Sequence, residues 1–151
     1  MRLILTENDD CVQATMCDVA AFETERGIRL PSDYRAFLLK EVGGYPEADF
    51  SRFGNSGDFV AHIYGLRSST DWKTLSSAVK EFGRDTSLFL PVAVSNGGNY
   101  FMVRVCEPDY GAIYFWDHEL EDTDPPTFES VIRVASSFTE WIDSLEIPGD
   151  D

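Results

Sequence analysis

Few residues in this chain have the types and spacing that chemistry needs. Asp117, His118 and Glu119 stand side by side, two carboxylates around an imidazole, a donor set that suits a divalent metal. They end a run of period-two alternation, however, and neighbours on a strand project to opposite faces, so the three do not converge on one ion. His62 lies inside another strand-like run and reads as a packed side chain. Cys11, Cys17 and Cys106 are odd in number and scattered, with no C-x-x-C pair, which argues against a disulfide framework or a structural zinc and for a reducing compartment. Asn96-Gly97-Gly98-Asn99 has the glycines of a phosphate loop but neither the lysine nor the following helix, and reads as a hairpin turn. No Gly-x-Ser-x-Gly elbow is present. Glu121, Asp122 and Asp124 sit beside Pro125-Pro126 in a loop, and nothing sets two of them across a cleft as acid and base. The residues point to a protein that is not an enzyme and carries no metal or cofactor.

The elements that must position these residues follow from capping and periodicity. Thr15-x-x-Asp18 fits a capping box and Gly27 a C-terminal stop, so a first helix runs between them with Val19 and Phe22 inward. A second is bracketed by Pro31 and by Gly43-Gly44, with Tyr34, Phe37, Leu38 and Val42 at helical spacing. A turn-rich stretch, SRFGNSG, leads to a strand over Asp58 to Gly65. A third helix, about Asp71 to Phe82 behind Ser68, carries Trp72, Leu75, Val79 and Phe82 on one face.

From Leu88 the period changes to two. Three strands are predicted, joined by N-G-G-N and by E-P-D-Y-G, both with the turn chemistry of tight hairpins. Phe101, Val103 and Val105 point one way; Tyr100, Met102, Arg104 and Cys106 point the other. That second face is aromatic but not wholly apolar, so it is either covered by a helix or half open for binding. A short apolar run, SVIRVA, precedes a last helix with a Ser137-x-x-Glu140 box and a buried stripe of Phe138, Trp141, Ile142 and Leu145. The order is helices, strand, helix, antiparallel meander, helix: an α+β single domain over residues 1–151, with 146–151 a loose tail.

Length and charge bound the function. At 151 residues with 43% apolar and 13% aromatic content, one domain of this size buries about 70% of its unfolded surface. MRLILTENDD has too short an apolar run for a signal-peptide core and no stretch suits a membrane span, so the expectation is a cytoplasmic protein. The net charge of −15 disfavours nucleic acid and anionic membranes as partners. Residues 1–104 hold 14 acidic and 11 basic residues, whereas residues 105–151 hold 13 acidic residues and one basic residue, Arg133. The last third is either a solvated acidic surface or a field that draws in a basic partner.

Framework motifs add a resemblance. Phe22-Glu23, Gly27-Ile28, Leu30-Pro31, Tyr34, Phe37-Leu38 and Gly43-Gly44 resemble the N-terminal signature of the SUKH superfamily, with Val42 where an asparagine is usual. Leu90-Pro91-Val92-Ala93 with Gly97-Gly98-Asn99, then Gly111 through Glu119, then Ser136-Ser137-Phe138 with Trp141-Ile142, are similar to its later motifs in the same order, across residues 18–145. That superfamily includes bacterial immunity proteins and fungal cell-wall-assembly regulators. The resemblance implies a curved, mostly antiparallel sheet packed by helices, and no catalytic residues. For a bacterial member it implies an immunity protein that binds and neutralises a cognate toxin, often a nuclease. On that reading Tyr114 and Trp116 are candidate aromatic anchors, and Asp117, Glu119, Glu121, Asp122 and Asp124 the candidate acidic contacts for a basic, nuclease-type toxin. The other reading the resemblance permits is a non-enzymatic intracellular scaffold with no toxin partner.

Overall fold

The computed structural model describes residues 5–6, 11–12, 14–41, 43–68, 74–82, 86–117 and 131–147. Its strands are β1 (Leu5–Thr6), β2 (Cys11–Val12), β3 (Tyr45–Pro46), β4 (Phe50–Phe53), β5 (Ser56–Ile63), β6 (Arg67–Ser68), β7 (Phe89–Ser95), β8 (Tyr100–Arg104), β9 (Ile113–Trp116) and β10 (Ile132–Ala135). Its helices are α1 (Met16–Arg26), α2 (Ser32–Lys40), α3 (Leu75–Phe82) and α4 (Phe138–Ser144). Six strands make one antiparallel sheet in the order β10-β9-β8-β7-β5-β4, and β1 with β3 and β2 with β6 make two small ribbons. This is the α+β single domain that the pattern predicts.

The sheet curves. Its register shifts between Val60 and His62, between Pro91 and Ala93, and between Arg133 and Ala135, and bulges of this kind bend a strand and raise its twist. The curl is tight enough for Phe53 of β4 to stack on Phe115 of β9 at 4.8 Å, although three strands lie between them in the sheet order. Its concave filling comes from α1, α2, α4 and the α1–α2 connection through Val19, Phe22, Leu30, Tyr34, Leu38, Phe138 and Trp141.

Local sequence rules account for the helix ends. Thr15 Oγ1 accepts from the Asp18 amide while the Asp18 carboxylate accepts from the Thr15 amide, and Gly27 closes α1 at φ 67°. Pro31 precedes α2, as the sequence predicts, but the double glycine does not end it. The helix stops at Glu41 in extended conformation, and Gly43 and Gly44 serve the turn that lies against β5 instead. Ser137 caps α4 by accepting from the Glu140 amide; the Glu140 carboxylate turns to the Ser136 hydroxyl, so only half of the expected box forms. Ser68, expected as a cap for α3, lies in β6 opposite Cys11, while Trp72 falls outside the described residues.

Two further expectations are corrected. SRFGNSG is chiefly β4 and the start of β5, a hairpin in which Phe50 faces Phe59 and Phe53 faces Ser56. The tail is not loose at its first residue. Glu146 exchanges two backbone hydrogen bonds with Phe50, and its carboxylate meets Arg52 at 2.9 Å.

One clasp links the first two helices. Glu23 Oε2 accepts from the Leu30 amide at 2.8 Å and from Arg35 Nη2 at 3.0 Å, and Arg35 Nη2 also donates to the Leu30 carbonyl. Asp33 then reaches forward to accept from the backbone amide and hydroxyl of Thr139 in the first turn of α4. Both carboxylates that flank the Leu30-Pro31 turn are framework.

Candidate functional site

The second face of the sheet is where the sequence placed its candidate anchors. Alternation brings Pro91, Met102, Tyr114 and Arg133 into one row across β7, β8, β9 and β10, with Tyr100 opposite Trp116 beside it. α3 closes over part of this face through Phe82, whose ring meets Tyr100 at 5.3 Å and Trp116 at 5.5 Å edge-on. The covered-face alternative therefore holds at this end of the sheet. Trp116 is only 2% exposed, packed with Phe82, Phe89 and Met102, so it cannot be the anchor the sequence proposed. Its partner across the sheet and a helix from elsewhere in the chain bury it, which strand alternation alone does not reveal.

Tyr114 is half-buried, and its hydroxyl donates to the Asp109 carboxylate. The same carboxylate takes a two-point contact from Arg133, with Nε at 2.8 Å and Nη2 at 3.1 Å. Tyr114, Asp109 and Arg133 thus form one cluster at the β9–β10 edge. Asp109 sits in the β8–β9 loop at φ 69°, a left-handed conformation that aspartate tolerates better than most residues. Arg104 steadies that loop: its Nε donates to the carbonyls of Cys106 and Pro108, and its guanidinium lies 5.0 Å from the Phe89 ring centre.

Sequence reasoning missed Asp109 and Arg133 as partners. A signal existed, since Arg133 is the single cation among 13 carboxylates of residues 105–151. Asp109 engages that cation. Asp117 is half-buried at the end of β9. Glu119, Glu121, Asp122 and Asp124, and His118 with them, lie outside the described residues. Among the described residues no group of three or more His, Cys, Asp or Glu side chains gathers as metal ligands, and no helix is long and apolar enough to cross a membrane.

The Asp109 carboxyl titrates at about 2, below its ordinary range, because Arg133 and then Tyr114 hydrogen-bond its charged form. A carboxyl with a lowered folded pKa contributes stability that is present above its unfolded pKa and lost as pH falls through the folded value. The pair is partly exposed, which limits its worth to under about 1 kcal/mol. Asp109→Asn keeps the shape and the left-handed tolerance but removes the charge. Melting curves of the two proteins are expected to differ at pH 7 and to draw together between about pH 4 and pH 2. A gap that stays constant over that range contradicts the ion pair.

Comparison with protein families matches residues 13–144 to the SMI1 / KNR4 family (SUKH-1). Among curated proteins, the SPbeta prophage-derived uncharacterized protein YokK of Bacillus subtilis (strain 168) is 31% identical over 143 residues, covering 82% of this chain and 70% of that protein.

Proposed function

The chain belongs to the SMI1 / KNR4 family (SUKH-1), and on that premise we propose that it is an immunity protein that binds and neutralises a cognate toxin. The family match across residues 13–144 carries the proposal, and similarity to a prophage-derived protein suits a gene that travels with mobile elements. The protein acts by occupying a surface and performs no reaction of its own.

The partner is a basic protein of nuclease type. A groove that holds nucleic acid is lined by cations, and a surface rich in carboxylates presents the same charge as phosphates. Residues 105–151 supply that charge, with Asp117, Glu119, Glu121, Asp122 and Asp124 following β9. Tyr114 joins them as a half-buried aromatic held in place by Asp109, which reduces the ordering cost of contact. Long-range attraction of this kind acts chiefly on the rate of encounter.

Co-expression with the product of the neighbouring gene tests the function directly: if that product is a toxin, the wild-type chain should protect the cell and co-purify with it. Neutralising Glu119, Glu121, Asp122 and Asp124 together as Gln and Asn should slow association roughly 10-fold or more at low salt, with a flatter salt dependence. An unchanged association rate and full protection would reduce the acidic surface to solvation.

A further inference from the structure

A second feature lies at the α1–α2 connection. An open groove of about 510 Å³ is lined by Glu23, Thr24, Gly27, Ile28, Arg29 and Arg35. Tyr110 stands over the same connection: it is 36% exposed, and its hydroxyl donates to the Arg29 carbonyl at 2.7 Å. Gly111 next to it approaches the Pro31 ring. The backbone at Gly27 is left-handed and open, with nothing near the position a side chain would take. The backbone around the groove is tied down, because the Glu23 clasp holds Leu30 and Arg35 and the Tyr110 hydroxyl holds the Arg29 carbonyl.

The arginines whose side chains are described have partners, with one exception. Arg35, Arg52 and Arg133 each pair with a carboxylate. Arg104 holds two carbonyls and lies over Phe89, and Arg26 lies over Phe22. The exposed Arg29 guanidinium has no such contact among the described residues, in a chain with 27 carboxylates and 12 cationic side chains. The Glu23 and Asp33 carboxylates are engaged elsewhere, Glu23 by Leu30 and Arg35, and Asp33 by α4. Burial pushes the Tyr110 phenol up; Arg29 and Arg35 oppose that push, while Glu23 and Asp33 add to it.

We infer that this groove is a second docking point, which takes a carboxylate of the partner protein, held by Arg29 beside the apolar side chain of Ile28. The guanidinium offers a planar fork that matches a carboxylate at two points. An acidic group is repelled by the net charge of the chain as a whole, but at 0.15 M salt that repulsion fades beyond about 8 Å, so a local cation decides. The partner's identity as a toxin rests on the proposed function; the chemistry of the groove does not. A mainly basic partner that inserts one acidic side chain here would be selected by both signs of charge, which gives more specificity than attraction to carboxylates alone.

The test titrates the ¹⁵N-labelled full chain with acetyl-Asp-Glu-amide, with acetyl-Asn-Gln-amide as the neutral control and acetyl-Ala-Ala carrying a free C-terminus as the third ligand. Saturable shifts at the Gly27 and Ile28 amides and at Arg29 Nε are expected with the acidic peptide, absent with the neutral one and lost in Arg29→Ala. A response to the third peptide would assign the site to a chain terminus as well as to a side chain. Equal responses to the charged and neutral peptides, no response at all, or a response that survives Arg29→Ala would overturn the inference. In cells, Arg29→Glu should weaken toxin binding at least 10-fold while its spectrum away from the groove stays unchanged. A wild-type chain that fails to bind the toxin removes the immunity reading, and the peptide titration still judges the groove.

Discussion

Alanine at Gly43 is expected to destabilise the protein by at least about 4 kcal/mol, enough to leave much of it insoluble or unfolded at 37 °C. Gly43 has φ +86°, a conformation that costs a residue with a side chain roughly 1–2 kcal/mol. The larger part is collision. A Cβ there would sit 2.4 Å from the Gly65 amide nitrogen, 2.8 Å from the Ile63 carbonyl oxygen and 2.9 Å from the Gly65 Cα. All three are backbone atoms, so no side chain can swing away. The turn must lift off β5 and break the paired bonds between Gly44 and Ile63, each 2.9 Å, at about 1–3 kcal/mol for every buried group left unpaired. Gly27→Ala separates the two costs, because Gly27 has φ +67° but nothing within 4 Å of the added methyl. Its melting temperature should fall by only about 2–4 °C per kcal/mol of strain, against roughly 10 °C or more for Gly43→Ala. Equal losses in the two variants would mean that strain, not close backbone approach, is the reason for glycine at 43.

That contrast marks what the sequence could carry. The limits of α1 were legible because each is fixed within a few residues: Thr15 and Asp18 bond each other, and Gly27 ends the helix by its own conformation. β7, β8 and β9 were legible for the same reason, since alternation and a glycine hairpin are local signals. Gly43 looks like another helix stop because glycine after a helix usually is one. Its use depends on Ile63 and Gly65, which arrive from a different part of the chain. β4 reads as turn in the sequence because its phenylalanines find meaning only opposite Phe59 and under Phe115.

The candidate site divides the same way. Acidity of the last third is a property of composition, so it could be read directly, and so could Tyr114 as an aromatic on a strand. Burial of Trp116 depends on Phe82, and the orientation of Tyr114 depends on Asp109 and Arg133 meeting across the β9–β10 edge. The pinning of Arg29 by Tyr110 spans most of the chain and leaves no periodic trace. Framework motifs named the family, whereas the surfaces that choose a partner are built from non-local contacts.

The deepest of those non-local contacts sets the second large effect. Trp141 is fully buried in α4, 5.1 Å from the Phe101 ring and 5.8 Å from Phe138, and its Nε1 donates to Ser51 Oγ at 3.0 Å. Phe138 in turn packs on Tyr34 and Phe37, each at 4.9 Å, so one indole joins α4, α2 and the sheet. Trp141→Ala is expected to cost about 3–5 kcal/mol, the range for deleting a large aromatic from a core. Trp141→Phe refills most of the volume and isolates the polar link. It should cost about 1–3 kcal/mol, since Ser51, itself 0% exposed, loses this donor in a place water does not reach. The two contributions come apart in a double-mutant cycle measured by urea denaturation. In a Ser51→Ala background the indole N–H has already lost its acceptor, so Trp141→Phe should cost less there than in the native chain, by about 0.5–2 kcal/mol. Strict additivity would show that the hydrogen bond adds nothing beyond packing, and the buried serine at 51 would then need another reason to be polar.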